Sequence, residues 1–225
     1  MFGFNLYWLI LIAVSLVLGF GTQGYIKSRY KKWDKIPNSQ GLTGAQAARK
    51  MLDAHGLTQV SVEMVPGDLT DHYDPKAQKV SLSQRVYNNR SVSALAIASH
   101  ECGHAVQHAK SYVPATIRGA LVPPISLASN VWLIVLILGI FLNYLGLIWL
   151  AIALYAVTIL FQLVTLPVEF DASHRALAFI KTSGYVVDAE SKGAHSVLTA
   201  AALTYVAAAL ISLLQLFYLL GFARR

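Results

Sequence analysis

The sequence predicts a mainly α-helical, multi-pass transmembrane protein whose polar part carries a small β-sheet. Three observations lead there. Apolar residues make up 56% of the 225-residue chain and charged residues only 13%, with a mean hydropathy of +0.53, too apolar a balance for an ordinary water-soluble domain. These apolar residues are gathered in blocks long enough to cross a bilayer. Between the blocks, short alternating runs interrupt helix-forming segments. The net charge of +7 and isoelectric point near 9.5 read as membrane topology and not as a nucleic-acid footprint, because basic residues crowd against one apolar segment.

The first membrane helix is expected over residues 4–22, which hold no charge. It lacks a basic leading region and a small-residue cleavage site, so it reads as an uncleaved anchor and not a signal peptide. Lys27, Arg29, Lys31, Lys32 and Lys35 follow at once, which puts this flank in the cytoplasm. Residues 27–120 form the main polar region. Within it Gly44–His55 reads as a helix capped by Thr43. Val60–Val65 and Lys79–Leu82 read as short strands, separated by the turn formers of Asp68–Pro75. Such a strand pair either offers an edge to an extended peptide or simply covers a neighbouring helix. Residues 125–166 contain no Asp, Glu, Lys, Arg or His. They are expected to form a hairpin of helices, Ile125–Leu142 and Leu147–Leu166, about a turn at Asn143–Gly146; one strongly tilted helix is the alternative. Pro167 is expected to end that block, residues 167–198 to form a short polar segment, and residues 200–222 to make the last span.

The most informative residues lie in the polar region. Ser99-His100-Glu101-Cys102-Gly103-His104 is an HExxH motif, preceded by the alanine-rich run Ser91–Ser99, free of Pro and Gly. On a helix, His100 and His104 lie on one face and can aim two imidazoles at a single point. Zn²⁺ accepts such nitrogens at roughly 2.0–2.1 Å and, in catalytic sites, leaves one position for water. Glu101 is placed to take a proton from that water. In a buried setting two unpaired imidazoles and a carboxylate would be costly without a metal. Cys102 falls off the histidine face and reads as packing; as the lone cysteine it also excludes an intrachain disulfide framework.

A third ligand is needed. His108 lies roughly 12 Å further along the helix and is turned away from the pair. Glu169 is the stronger candidate. It follows Pro167, where a helix can start, and a hairpin returns it to the side of the membrane that holds His100 and His104. The resulting His₂Glu set suits a catalytic zinc. Asp171 is the next candidate, against its simpler reading as a salt-bridge partner of Arg175. The oxyanion donor stays open among His72, Tyr73, His174 and His195. Asp71, His72 and Asp74 otherwise read as parts of a capped turn.

The segments Leu69–Pro75, His100–Gln107, Pro167–Ser173 and Ala200–Ala208 resemble the YugP-like neutral zinc metallopeptidases of bacteria, over nearly the whole chain. The resemblance implies a membrane-embedded, gluzincin-like peptidase domain holding one Zn²⁺. More distantly the chain is similar to the HtpX-type membrane peptidases, in which a Glu on a later helix supplies the third ligand, as Glu169 would here. In that group an Asp four residues after this Glu orients a zinc-binding histidine; here Ser173 occupies the place, so the orienting contact is expected to differ.

Together these features predict a zinc-dependent metalloendopeptidase in the cell membrane, with its site on the cytoplasmic side. Glu101 would be the general base and His100, His104 and Glu169 the metal ligands. The expected partners are the lipid bilayer and a peptide or membrane-protein substrate, with membrane-protein quality control as the setting by analogy. A zinc-holding membrane scaffold or chaperone is the alternative, although folding alone does not require Glu101. A metal transporter would place polar residues at mid-span, and the spans hold almost none. No oligomeric state follows from the sequence.

Overall fold

The computed structural model describes residues 6–184 and 187–224. Phe4 and Asn5 of the first expected span, and residues 185 and 186 of the polar segment 167–198, lie outside them. In chain order the elements are α1 (Leu6–Asp34), α2 (Gly44–Ala54), β1 (Ser61–Val65), β2 (His72–Asp74), β3 (Lys79–Ser83), α3 (Gln84–Asn88), α4 (Val92–Ala109), α5 (Val113–Phe141), α6 (Leu145–Thr182) and α7 (Asp188–Ala223). Of these α1, α5, α6 and α7 are long and apolar enough to cross a membrane. Their large side chains stay extensively exposed, for example Val17, Phe20, Phe141 and Phe217, as expected where lipid and not water is the neighbour.

The helix starts follow local chemistry. Thr43 and Gln46 cap α2 reciprocally, each side chain bonding the other's backbone N–H. Ser91 caps α4 by accepting from the Ala94 N–H at 3.1 Å. Asn143, with φ of 48°, makes the left-handed step in the α5–α6 turn, a conformation Asn tolerates better than most residues. This turn joins α5 to α6, and both helices run well beyond the apolar block. Pro167 does not end the second arm: α6 continues through it to Thr182. A proline inside a helix removes one hydrogen bond, but here Thr165 before it and Val168 and Ala172 after it are buried, and this packing holds the helix together. Similarly, α7 joins the end of the polar segment to the last span without a break.

The sheet differs from the expected strand pair. β1 and β3 are parallel, and the Asp68–Pro75 stretch supplies a third strand, β2, antiparallel to β3 at the edge. The turn chemistry was read correctly but concealed a short strand. Asp74 accepts from the Lys76 and Ala77 N–H groups, and Asp71 from the N–H and hydroxyl of Ser83, so each carboxylate shapes an end of β2. Val80 and Leu82 of β3 bury against Met51 and Leu52 of α2 and Ala98, Cys102 and Val106 of α4. The sheet thus covers α4 while presenting an unpaired edge.

Two anchors join this polar part to the membrane helices. Asp34, at the end of α1, is buried and accepts from Arg85, Asn89 and Ser91, tying α1 to the chain just ahead of α4. The second is the approach of α4 to α6. A Cβ on Gly103 would sit 2.6 Å from the Ala172 carbonyl oxygen, so only glycine permits this backbone contact. The Gly103→Ala variant is expected to lose about 1–3 kcal/mol of stability, read as a lowered melting temperature in detergent; an unchanged melt would show that the two helices can part freely.

Candidate metal centre

α4 and α6 meet along faces set by helical spacing. His100, Gly103, His104 and Gln107 form one stripe on α4; Glu169, Ala172, Ser173 and Ala176 form the facing stripe on α6. The close approach at Gly103 brings the Glu169 carboxylate over both imidazoles. Its Oε2 lies 3.3 Å from His100 Nε2 and 3.7 Å from His104 Nε2. One ligand atom from each of the three residues lies within 4.8 Å of the others. Tetrahedral donors around zinc stand roughly 3.3 Å apart, so the spacing and the nitrogen–oxygen donor set both fit that metal. Glu169 is 3% exposed and Glu101 8%, which leaves few other ways to satisfy these groups.

Each imidazole keeps Nε2 for the centre and engages its other nitrogen elsewhere. His100 Nδ1 meets Ser173 Oγ at 3.1 Å, and His104 Nδ1 meets Gln107 Oε1 at 3.0 Å. Ser173, the departure from the pattern of the HtpX-type peptidases, therefore still contacts His100. Arg118 Nη1 donates to Glu169 Oε1 at 3.2 Å, holding the oxygen that faces away from the histidines. Asp171 is not among the grouped ligands; it pairs with Arg175 at 2.6 Å.

The two carboxylates diverge electrostatically. Burial alone would raise Glu169, but hydrogen bonds and charge from His100 and His104 outweigh it and hold the carboxyl well below the usual range. Burial dominates at Glu101 and pushes it up against the opposing pull of the same imidazoles. His104 is depressed by burial yet raised on balance by Glu169, Glu101 and Gln107. Cys102 is buried, with its thiol pushed up by burial, and donates to the Ala48 carbonyl.

The centre opens into a cleft of about 790 Å³. Asp71, His72 and Tyr73 wall it on the sheet side, and Val122, Phe161 and Tyr205 on the side of the membrane helices. Tyr73 Oη is 3.0 Å from His108 Nδ1, so His108 lines the cleft as a partner of Tyr73, not as a ligand. His174 and His195 line a different pocket and are removed from the oxyanion candidates by position. The sequence reading missed Gln107, Arg118 and Tyr205. A signal existed for Gln107, three residues after His104 and on the same face; Arg118 and Tyr205 come from the membrane helices and carried none.

The family model described as "Putative neutral zinc metallopeptidase" matches residues 8–224. The chain belongs to this family. It is 47% identical over 208 residues, 92% of each chain, to the protein named "Putative membrane protease YugP" of Bacillus subtilis (strain 168). No solved structure matches.

The charges define a pH test. His104 is raised in the fold, so its ionic contact with Glu169 stabilises the metal-free protein fully below its unfolded pKa of about 6.5. That contribution is lost as pH rises through the folded value. A zinc held by His104 would compete with the same proton. Melts of chelator-treated protein should therefore weaken from about pH 6.5 upwards, while the extra stability conferred by added zinc grows over the same interval. Equal zinc stabilisation at both ends would show that His104 does not take part.

Proposed function

We propose that the protein is a membrane-integrated zinc metallopeptidase that hydrolyses peptide bonds, with Glu101 as general base and a single zinc on His100, His104 and Glu169. The observation that carries this reading is a buried carboxylate beside two imidazoles and a second carboxylate, all opening on one cleft. Bound there, zinc would activate water and polarise a peptide carbonyl. Glu101, raised by burial, accepts the proton of the attacking water and returns it to the leaving amine. Glu169, held ionised by its neighbours, remains a ligand throughout. Tyr73 and His72, in the cleft wall, are the surviving candidates for stabilising the developing oxyanion.

The substrate is proposed to be a peptide stretch of a membrane protein. The cleft is shared between an unpaired strand edge and side chains of the membrane helices, which suits extended chain close to the bilayer. The basic residues after the first span support a site on the cytoplasmic side, and membrane-protein quality control is the proposed setting.

Zinc content and peptide hydrolysis of detergent-purified protein test this directly. Wild type and Glu101→Gln should each hold about one zinc, while hydrolysis by Glu101→Gln falls at least 10²–10⁴-fold. Glu169→Ala should lose both metal and activity. Zinc retained by Glu169→Ala would remove the third ligand. Zinc-loaded wild type that cleaves no peptide would favour the scaffold.

A further inference from the structure

The contacts behind His104 form a chain that the ligand set does not explain. Gln107 is 1% exposed. Its Nε2 donates to the Val168 carbonyl at 2.7 Å and to Asp171 Oδ2 at 2.8 Å. Both partners are pure acceptors, so the amide has only one tolerable orientation. Reversed, it would set Oε1 against two other oxygens. The fixed Oε1 then faces His104 Nδ1 at 3.0 Å. An amide oxygen only accepts, which requires the proton on Nδ1 and leaves the Nε2 lone pair for the centre. At His100 the partner is a hydroxyl, which donates or accepts equally well. The two histidines are thus held by unequal means.

We infer that Gln107 and Asp171 are a positioning pair that fixes the tautomer and aim of His104. Asp171 is itself steadied by Arg175 at 2.6 Å, so the chain runs from Arg175 through Asp171 and Gln107 to the imidazole. Two residues after Glu169, Asp171 projects to another side of α6 and cannot replace Ser173 at His100. Through Gln107 it instead serves the other histidine. The inference rests on the metal-site reading above for its consequence, but not for its geometry.

Zinc affinity in competition with a chromophoric chelator provides the first test. Gln107→Met, close in volume and unable to hydrogen-bond in this way, should bind zinc about 10–100-fold more weakly than wild type. Asp171→Ala should also weaken binding; partly exposed, it leaves the core filled and keeps the test valid if Gln107→Met does not fold. Asp171→Asn, which retains an acceptor for Gln107, should restore affinity close to wild type. The second test needs no metal: nitrogen NMR of histidine-labelled, zinc-free protein at alkaline pH, with His104 assigned by its loss in His104→Asn. Wild type and Asp171→Asn should show the Nδ1–H form, and Gln107→Met a mixture. Unchanged affinity in Asp171→Ala, or a pure Nδ1–H signal in Gln107→Met, would overturn the pair. Wild type that binds no zinc yet shows a pure Nδ1–H signal lost in Gln107→Met would sustain the pair and overturn the metal reading instead.

Discussion

The backbone contact between Gly103 and Ala172 is the constraint from which the rest of the site follows. A glycine inside a helix costs roughly 1 kcal/mol relative to alanine, and it would be unwelcome between two histidines meant to be held rigidly. Here it lets α4 and α6 approach until the absent Cβ would overlap a carbonyl oxygen. At that separation Glu169, one turn before Ala172, reaches both imidazoles, and Ser173, one residue after it, reaches His100. Beyond them Ala176 and Ile180 bury completely against Val92, Leu95 and Ala96. Ligand, contact point, orienting group and apolar core share one stripe, so a movement of α6 that spoils one spoils all.

That coupling extends into the membrane because α6 is uninterrupted. Its 38 residues span about 57 Å at the usual rise, more than a hydrocarbon core of roughly 30 Å. The same rod is therefore long enough to cross the bilayer and still reach the polar part of the protein with Glu169. The cleft mixes Tyr73 and His72 of the sheet with Phe161 and Tyr205 of the long helices. A detached peptidase domain would lose a wall of its own site.

Much of this was legible in the sequence, and the gaps have physical causes. Local signals read well: the Thr43 cap, the Asn143 turn, the four apolar blocks and the HExxH spacing each depend on residues within a few positions of one another. The meeting of Glu169 with the two histidines was accessible too, since a hairpin argument decides which polar residues can meet. Signals failed where tertiary packing overrode local preference. Pro167 breaks an isolated helix, but not one whose inner face is packed before and after it, at Thr165 and Val168. His72–Asp74 has turn composition, yet pairs as a strand because β3 presents a partner edge and Asp71 and Asp74 bind the flanking backbone. Arg118 joined the site only through the folding of α5 over α6, which no local pattern encodes.

The two glutamates show how one environment can assign opposite roles to the same side chain. Both are buried, within reach of the same imidazoles. Glu169 faces both imidazoles, whose pull outweighs its desolvation and holds it anionic, while Arg118 meets its other oxygen. Glu101, adjacent in sequence to His100, feels the opposing charge of the histidines, but desolvation prevails. A permanently ionised carboxylate suits a ligand, and one poised higher suits proton transfer.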